Sequence, residues 1–106
     1  CTPSLWQYLE AGIELSTLKV LCLGGERCPQ PLLDEWADRL TLLNTYGTTE
    51  CTVWQTLRRM RPRDRVTLVG TPYPGNEIRV VQQDGHAQAP DGERGEILQG
   101  GVQVGL

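Results

Sequence analysis

The chain lacks the features that announce several common functions. It has no excess of positive charge: 10 Lys and Arg stand against 13 Asp and Glu, a formal net charge of −3 over 106 residues. A nucleic-acid binder carries a clearly basic face, so nucleic acid is not expected as a partner. The basic cluster Arg58, Arg59, Arg61, Arg63 and Arg65 is interrupted by Pro62 and Asp64. It reads as a solvated loop after a helix rather than a track for phosphates. No apolar run reaches the roughly 20 residues of a membrane-spanning helix, and no charged-then-apolar leader opens the chain. Neither membrane contact nor export is expected. The single histidine, His86, sits in the polar turn Asp84-Gly85-His86 and reads as a turn residue, not a catalytic base. Cys1, Cys22, Cys28 and Cys51 form no C-x-x-C pair and no metal-ligand spacing. Reduced thiols in a cytoplasmic protein are therefore expected rather than a disulfide framework. The length allows one domain at most.

What is present begins as an α/β pattern. Thr2-Pro3 offers an N-cap and a first-turn proline, followed by Leu5, Trp6, Leu9 and Ile13 at helical spacing, with Gly12 as the stop. Leu18 to Leu23 is a short apolar run ending at Gly24-Gly25 and reads as a buried strand. Pro29 and Pro31 reopen a helix with Asp34 and Glu35 early, Arg39 late, and Leu32, Leu33, Trp36 and Leu40 on its apolar face. Leu40 to Tyr46 is the next strand. Strand, helix and strand in this order predict a βαβ unit with parallel strands. Ligands of such sheets bind beyond the carboxyl ends of the strands, so the turns after Leu23 and after Tyr46 should open on one edge.

Past Glu50 the pattern changes. Val53, Trp54 and Leu57 fit either a helical turn or an extended segment. Strand-like segments then run Val66 to Val69, Glu77 to Gln82 and Glu96 to Leu98, separated by turns at Pro72 to Asn76, Asp84-Gly85 and Pro90-Asp91-Gly92. This half reads as antiparallel and barrel-like. The expected organisation is a βαβ portion over 1–65, carrying the pocket loops, and a β-rich portion over 66–106.

The most informative residues are Asn44-Thr45-Tyr46-Gly47-Thr48-Thr49-Glu50. A strand that ends in such a turn suits a nucleotide. The aromatic ring can lie on a base, the hydroxyls and backbone N–H groups can face phosphates, and the carboxylate can hold the accompanying magnesium ion. Taken singly, Tyr46 could be a core aromatic, Glu50 a solvated carboxylate, and Thr48 and Thr49 turn formers. It is the combination that points to a site.

This heptad resembles the N-x-Y-G-P-T-E motif of the adenylate-forming, AMP-binding enzymes. Two further segments carry the likeness, strongest toward the adenylation domains of nonribosomal peptide synthetases. Leu21-Cys22-Leu23-Gly24-Gly25-Glu26 resembles the family's strand ending in G-G-E, and Gly92 to Val104 resembles its G-E-x-G-E stretch. The resemblance implies an enzyme that activates an amino acid or other carboxylic acid with ATP and magnesium, releasing pyrophosphate. The acyl group then passes to phosphopantetheine on a carrier-protein domain. An acyl-CoA synthetase-type ligase using coenzyme A, and a non-catalytic module of the same fold, are the alternatives.

Carried over by position, Asn44 matches the amide that meets the adenine amino group, Tyr46 the aromatic stacked on adenine, Thr49 the hydroxyl near the α-phosphate, and Glu50 the magnesium ligand. Gly25, Glu26 and Arg27 match the loop bordering adenine. Gly47 is expected to supply special backbone angles for the turn, beside Thr48, which stands where the motif has Pro. Cys22, Gly24, Thr45, Val53 and Trp54 match the acyl pocket, with Gly24 leaving space and Trp54 filling it. The resemblance places the phosphate loop upstream of Cys1 and the ribose-binding aspartate and catalytic lysine beyond Leu106. Lys19, the one lysine present, does not match that role. A central slice without catalytic residues of its own, inactive in isolation, is expected.

Overall fold

The computed structural model describes residues 1–9, 15–82, 85 and 87–105. Gly12, Ile13, Asp84 and His86, each given a role above, lie outside them. Helix α1 (Pro3–Leu9) starts where Thr2-Pro3 places it, and the Leu5 N–H donates to Thr2 Oγ1 at 3.2 Å. That bond satisfies one of the donors a helix start leaves free. Strand β1 (Val20–Leu23), helix α2 (Gln30–Trp36) and strand β2 (Thr41–Tyr46) follow. β1 and β2 are parallel, in register from Val20 opposite Thr41 to Leu23 opposite Asn44. Helix α2 ends at Trp36, so Arg39 lies past its end rather than in its last turn.

Beyond β2 a single 3-10 turn (Thr49–Cys51) leads into β3 (Thr56–Arg59), antiparallel to β2. Leu57 is therefore extended, and Arg58 and Arg59 belong to a strand, not to the expected loop. Arg58 is tied at 3.3 Å to Asp64, whose carboxylate also accepts the Arg61 N–H at 3.0 Å. Val66 to Val69 is not a strand. The chain turns there, and the next pairing is the short β4 (Thr71–Pro72) on β3. Pro72 thus pairs, and the turn runs from Tyr73 to Asn76, whose N–H donates to the Tyr73 carbonyl at 3.0 Å. The first sheet has the order β1-β2-β3-β4.

β5 (Asn76–Val81) and β6 (Glu96–Gly101) form a separate antiparallel ribbon. The β-rich half is antiparallel as read, but no barrel closes among the described residues. Closure needs every strand to find two partners, and here two strands pair only with each other.

The core lies under the first sheet. Trp6, Leu21, Leu23, Leu32, Leu33, Trp36 and Leu42 are buried in one cluster. The Trp6 and Trp36 rings meet edge to face at 5.2 Å and 85°, an arrangement that adds about 1 kcal/mol beyond area burial. The radius of gyration is 15.6 Å, against about 13 Å for a compact chain of this length. The molecule is elongated, with extents of 50 × 31 × 22 Å.

Candidate active site

The parallel pairing of β1 and β2 decides where the site is. Both strands run to the same edge, and their following turns, 25–27 and 46–47, line one cavity of about 520 Å³. Val66, Thr67 and Val69 supply a further wall. Of the expected nucleotide-binding residues, Gly25, Glu26, Arg27, Asn44, Tyr46 and Gly47 line this cavity; Thr48, Thr49 and Glu50 do not. Thr45, expected on the acyl side, lines it too.

Asn44 is buried, and its Nδ2 donates to the Leu68 carbonyl at 3.0 Å. A carbonyl neighbour selects the donor end of the amide, so the acceptor Oδ1 is the end left for a ligand. An exocyclic amino group is the matching donor. Thr49 and Glu50 sit exposed on the 3-10 turn. Among the described residues no three His, Cys, Asp or Glu side chains cluster to cage a metal. A lone exposed carboxylate suits magnesium held mainly by substrate phosphates and water, the usual mode for that ion, and Glu50 fits this role.

Gly47 corrects one expectation. Its backbone is not in the left-handed region. Glycine is required there for space: a Cβ would lie 2.2 Å from the Val53 carbonyl oxygen and 2.7 Å from Trp54 Cα. Gly24 is likewise a matter of space. A Cβ there would stand 2.2 Å from Thr45 Oγ1 and 3.2 Å from Trp54 Nε1. Gly24, Thr45 and Trp54 are thus in mutual reach, with Thr45 Oγ1 donating to the Leu23 carbonyl at 2.9 Å. Cys22 is half-buried on β1, and burial raises its thiol pKa above the ordinary value against the pull of the N-terminal charge. Val53 and Trp54 line a second cavity of about 300 Å³ with Tyr73, Asn76 and Val102. Of the expected acyl-pocket residues, Thr45 therefore lines the first cavity, Val53 and Trp54 the second, and Cys22 and Gly24 neither.

Glu26 is already engaged. Its carboxylate accepts from Ser4 Oγ at 2.5 Å and from the Ser4 N–H at 3.2 Å. These two bonds, the hydroxyl's first, lower its pKa below the usual carboxylate value. It ties the turn after β1 to the start of α1.

One residue absent from the sequence reading stands out. Gln55 is 2% exposed, accepts the Thr48 N–H at 2.9 Å through Oε1, and donates through Nε2 to the Cys51 carbonyl. No local signal marks it: an amide between Trp54 and Thr56 becomes informative only once it is seen to be buried, because such a group must find partners.

A family model described as "AMP-binding enzyme" matches residues 1–106, and the chain belongs to that family. The hybrid PKS-NRPS synthetase TAS1 of Pyricularia oryzae is 36% identical over 110 residues, covering 98% of this chain and 6% of that protein. The nonribosomal peptide synthetase aclP of Aspergillus oryzae is 41% identical over 107 residues, covering 97% and 6%. Novobiocin biosynthesis protein H of Streptomyces niveus is 41% identical over 86 residues, covering 80% and 14%. The chain thus spans a small part of the curated relatives it matches. In fold it is similar to the Klebsiella oxytoca NpsA N-terminal subdomain in complex with 3-hydroxybenzoyl-AMSN, with a TM-score of 0.85 at 22% identity over 100% of this chain and 28% of that one. It is also similar to o-succinylbenzoate CoA synthetase from Bacillus subtilis, solved with its acyl-adenylate intermediate, with a TM-score of 0.80 at 24% identity over 98% and 22%. No helix among the described residues is long and apolar enough to cross a membrane.

Proposed function

We propose that this chain is part of a cytoplasmic ligase that joins a carboxylic acid, in the first instance an amino acid, to the AMP portion of ATP, releasing pyrophosphate. The observation that carries the reading is the convergence of the 25–27 and 46–47 turns on one cavity at the carboxyl edge of parallel strands. In the proposed complex Asn44 Oδ1 accepts the adenine amino group and the Tyr46 ring lies on the base. Gly25, Glu26 and Arg27 border the base, with Glu26 acting through its hold on α1. Gly47 and Thr48 shape the turn that carries Thr49 Oγ1 to the α-phosphate and Glu50 to the magnesium ion. When bound, that ion neutralises charge on the phosphates. Cys22, Gly24, Thr45, Val53 and Trp54 surround the acid, where Trp54 and Thr45 already occupy the space above Gly24.

Two arrangements support transfer to a carrier-bound phosphopantetheine thiol over transfer to coenzyme A. They are the names of the peptide-synthetase relatives and their identity of 36% and 41%, against 24% for the CoA synthetase over a similar share of the chain. The test is carboxylate-dependent ATP–pyrophosphate exchange by the full-length protein that contains the chain, screened across amino acids and simple acids. Exchange with one acid is the expected result. No exchange with any acid, together with no ATP binding, would sink the reading. Adding coenzyme A or a carrier domain to the exchanging enzyme then identifies the thiol that accepts the acyl group.

A further inference from the structure

The segment between Tyr46 and Gln55 is tied by Gln55 at several points. Its N–H donates to the Tyr46 carbonyl at 2.9 Å, and its own carbonyl accepts the Tyr73 N–H at 2.9 Å. Its side chain accepts from Thr48 N–H and donates to the Cys51 carbonyl. Backbone and side chain are thus all committed, and the side chain is sealed from water at 2% exposure. Between the two anchored points, Thr48 and Cys51, lie only Thr49 and Glu50, both exposed. No other partner of the Thr48 N–H is present among the described residues.

The exit of the segment is strained. Thr52 has φ 74 and ψ −76, and the Val53 N–H donates to the Cys51 carbonyl at 3.1 Å. This is a γ-turn of the positive-φ kind, rare and costly for a β-branched residue. Such geometry persists only where the surroundings over-determine it. The Cys51 carbonyl at its start is the group that Gln55 Nε2 holds.

We infer that Gln55 is a positioning residue for the adenylation site: its amide, clamped between the Thr48 N–H and the Cys51 carbonyl, fixes where Thr49 and Glu50 stand relative to Tyr46. Thr48 and Gln55 act as one unit, because a residue without an N–H at position 48 would leave Oε1 buried and unpaired. The inference rests on the adenylation reading above. It assigns Gln55 no contact with nucleotide or acid.

The experiment is ATP–pyrophosphate exchange in the full-length protein, measured as a function of magnesium and of ATP, beside equilibrium ATP binding titrated at the same magnesium concentrations. Gln55→Met keeps an unbranched side chain of similar volume and removes both hydrogen bonds. The expected result is a rise of about tenfold in the magnesium concentration giving half-maximal rate, the scale of a lost buried hydrogen bond. The double variant with Thr48→Pro is expected to be less impaired than the product of the two single effects, because both break the same contact. Loss of rate with unchanged magnesium and ATP dependence would reduce Gln55 to a structural role and overturn the inference, as would fully multiplicative effects. If Gln55→Met does not fold, Thr48→Pro alone carries the test, since it deletes the clamped N–H and should shift the same magnesium dependence. A wild-type protein with neither exchange nor ATP binding would remove the adenylation reading and this one with it; an exchanging wild type beside an unaffected Gln55→Met would remove this one alone.

Discussion

The two sheets of this chain use similar residues and reach opposite outcomes. In the first sheet Leu21, Leu23 and Leu42 are buried against Leu32, Leu33 and Trp36. In the ribbon Val80, Ile97 and Leu98 are 38%, 45% and 46% exposed. Apolar, β-prone residues make a strand in both places. Only the first has helices to cover a face, so only there does burial convert into stability. The site sits at the boundary between them. Asn44 and Tyr46, proposed to face the base, are built on the buried sheet, and Glu50 is tied to the tail of the ribbon through Gly105.

The sharpest way to break this comparison is chemical. Glu50→Ala should leave both sheets intact and lower carboxylate-dependent pyrophosphate exchange by about 100-fold, the scale for losing one group that stabilises developing charge. Steady-state exchange in the full-length protein checks it, and a fall of less than threefold would remove Glu50 from the site. Stability should separate the sheets next. Leu33→Ala, at 0% exposure in the parent residue, should cost about 3 kcal/mol through cavity formation. Leu98→Ala in the ribbon should cost less than about 0.5 kcal/mol, as for ordinary surface changes. Urea midpoints read both. Gly24→Ala should fall between these two in stability, at about 1–2 kcal/mol of overpacking, and should raise KM for the acid more than KM for ATP.

A further test sharpens the contrast through association. The 106-residue chain studied by itself should self-associate through its exposed apolar ribbon, and Leu98→Lys should reduce that association in light scattering. A sharply unfolding monomer would contradict this. The smallest effect concerns acid. The lowered pKa of Glu26 means its bonds to Ser4 contribute above the carboxylate's unfolded pKa. That contribution is lost as pH falls through the folded value. Ser4→Ala should therefore narrow the difference in unfolding temperature between neutral and acidic solution, a small change because the carboxylate is exposed.

The α/β portion was legible because its signals are local. Thr2-Pro3 and Pro29 mark helix starts, and a strand–helix–strand order fixes parallel pairing. That pairing in turn brought Gly25 to Arg27 and Asn44 to Gly47 together. What was not legible depends on distant partners. Arg58 and Arg59 looked like loop because they are charged, yet β2 offers them a ladder and Asp64 receives Arg58. Val66 to Val69 looked like strand because it is apolar, yet it turns back as a cavity wall. Gly47 suggested unusual backbone angles, but the reason for glycine lies in Val53 and Trp54, which pack against it from further along the chain. The barrel failed for the same reason: antiparallel strands can be read from alternation, whereas the neighbours that close them cannot. Gln55 shows the limit most plainly, since its importance is set entirely by the groups it bridges.

The tail of the ribbon has its own reach. The Gly105 N–H donates to the Glu50 carbonyl at 2.8 Å, and Thr52 Oγ1 donates to the Gln103 carbonyl at 2.9 Å. The candidate magnesium ligand is therefore moored on two shores, to the buried sheet by Gln55 and to the uncovered ribbon by Gly105. A tilt of the ribbon would therefore reach the backbone of Glu50 through the Gly105 bond.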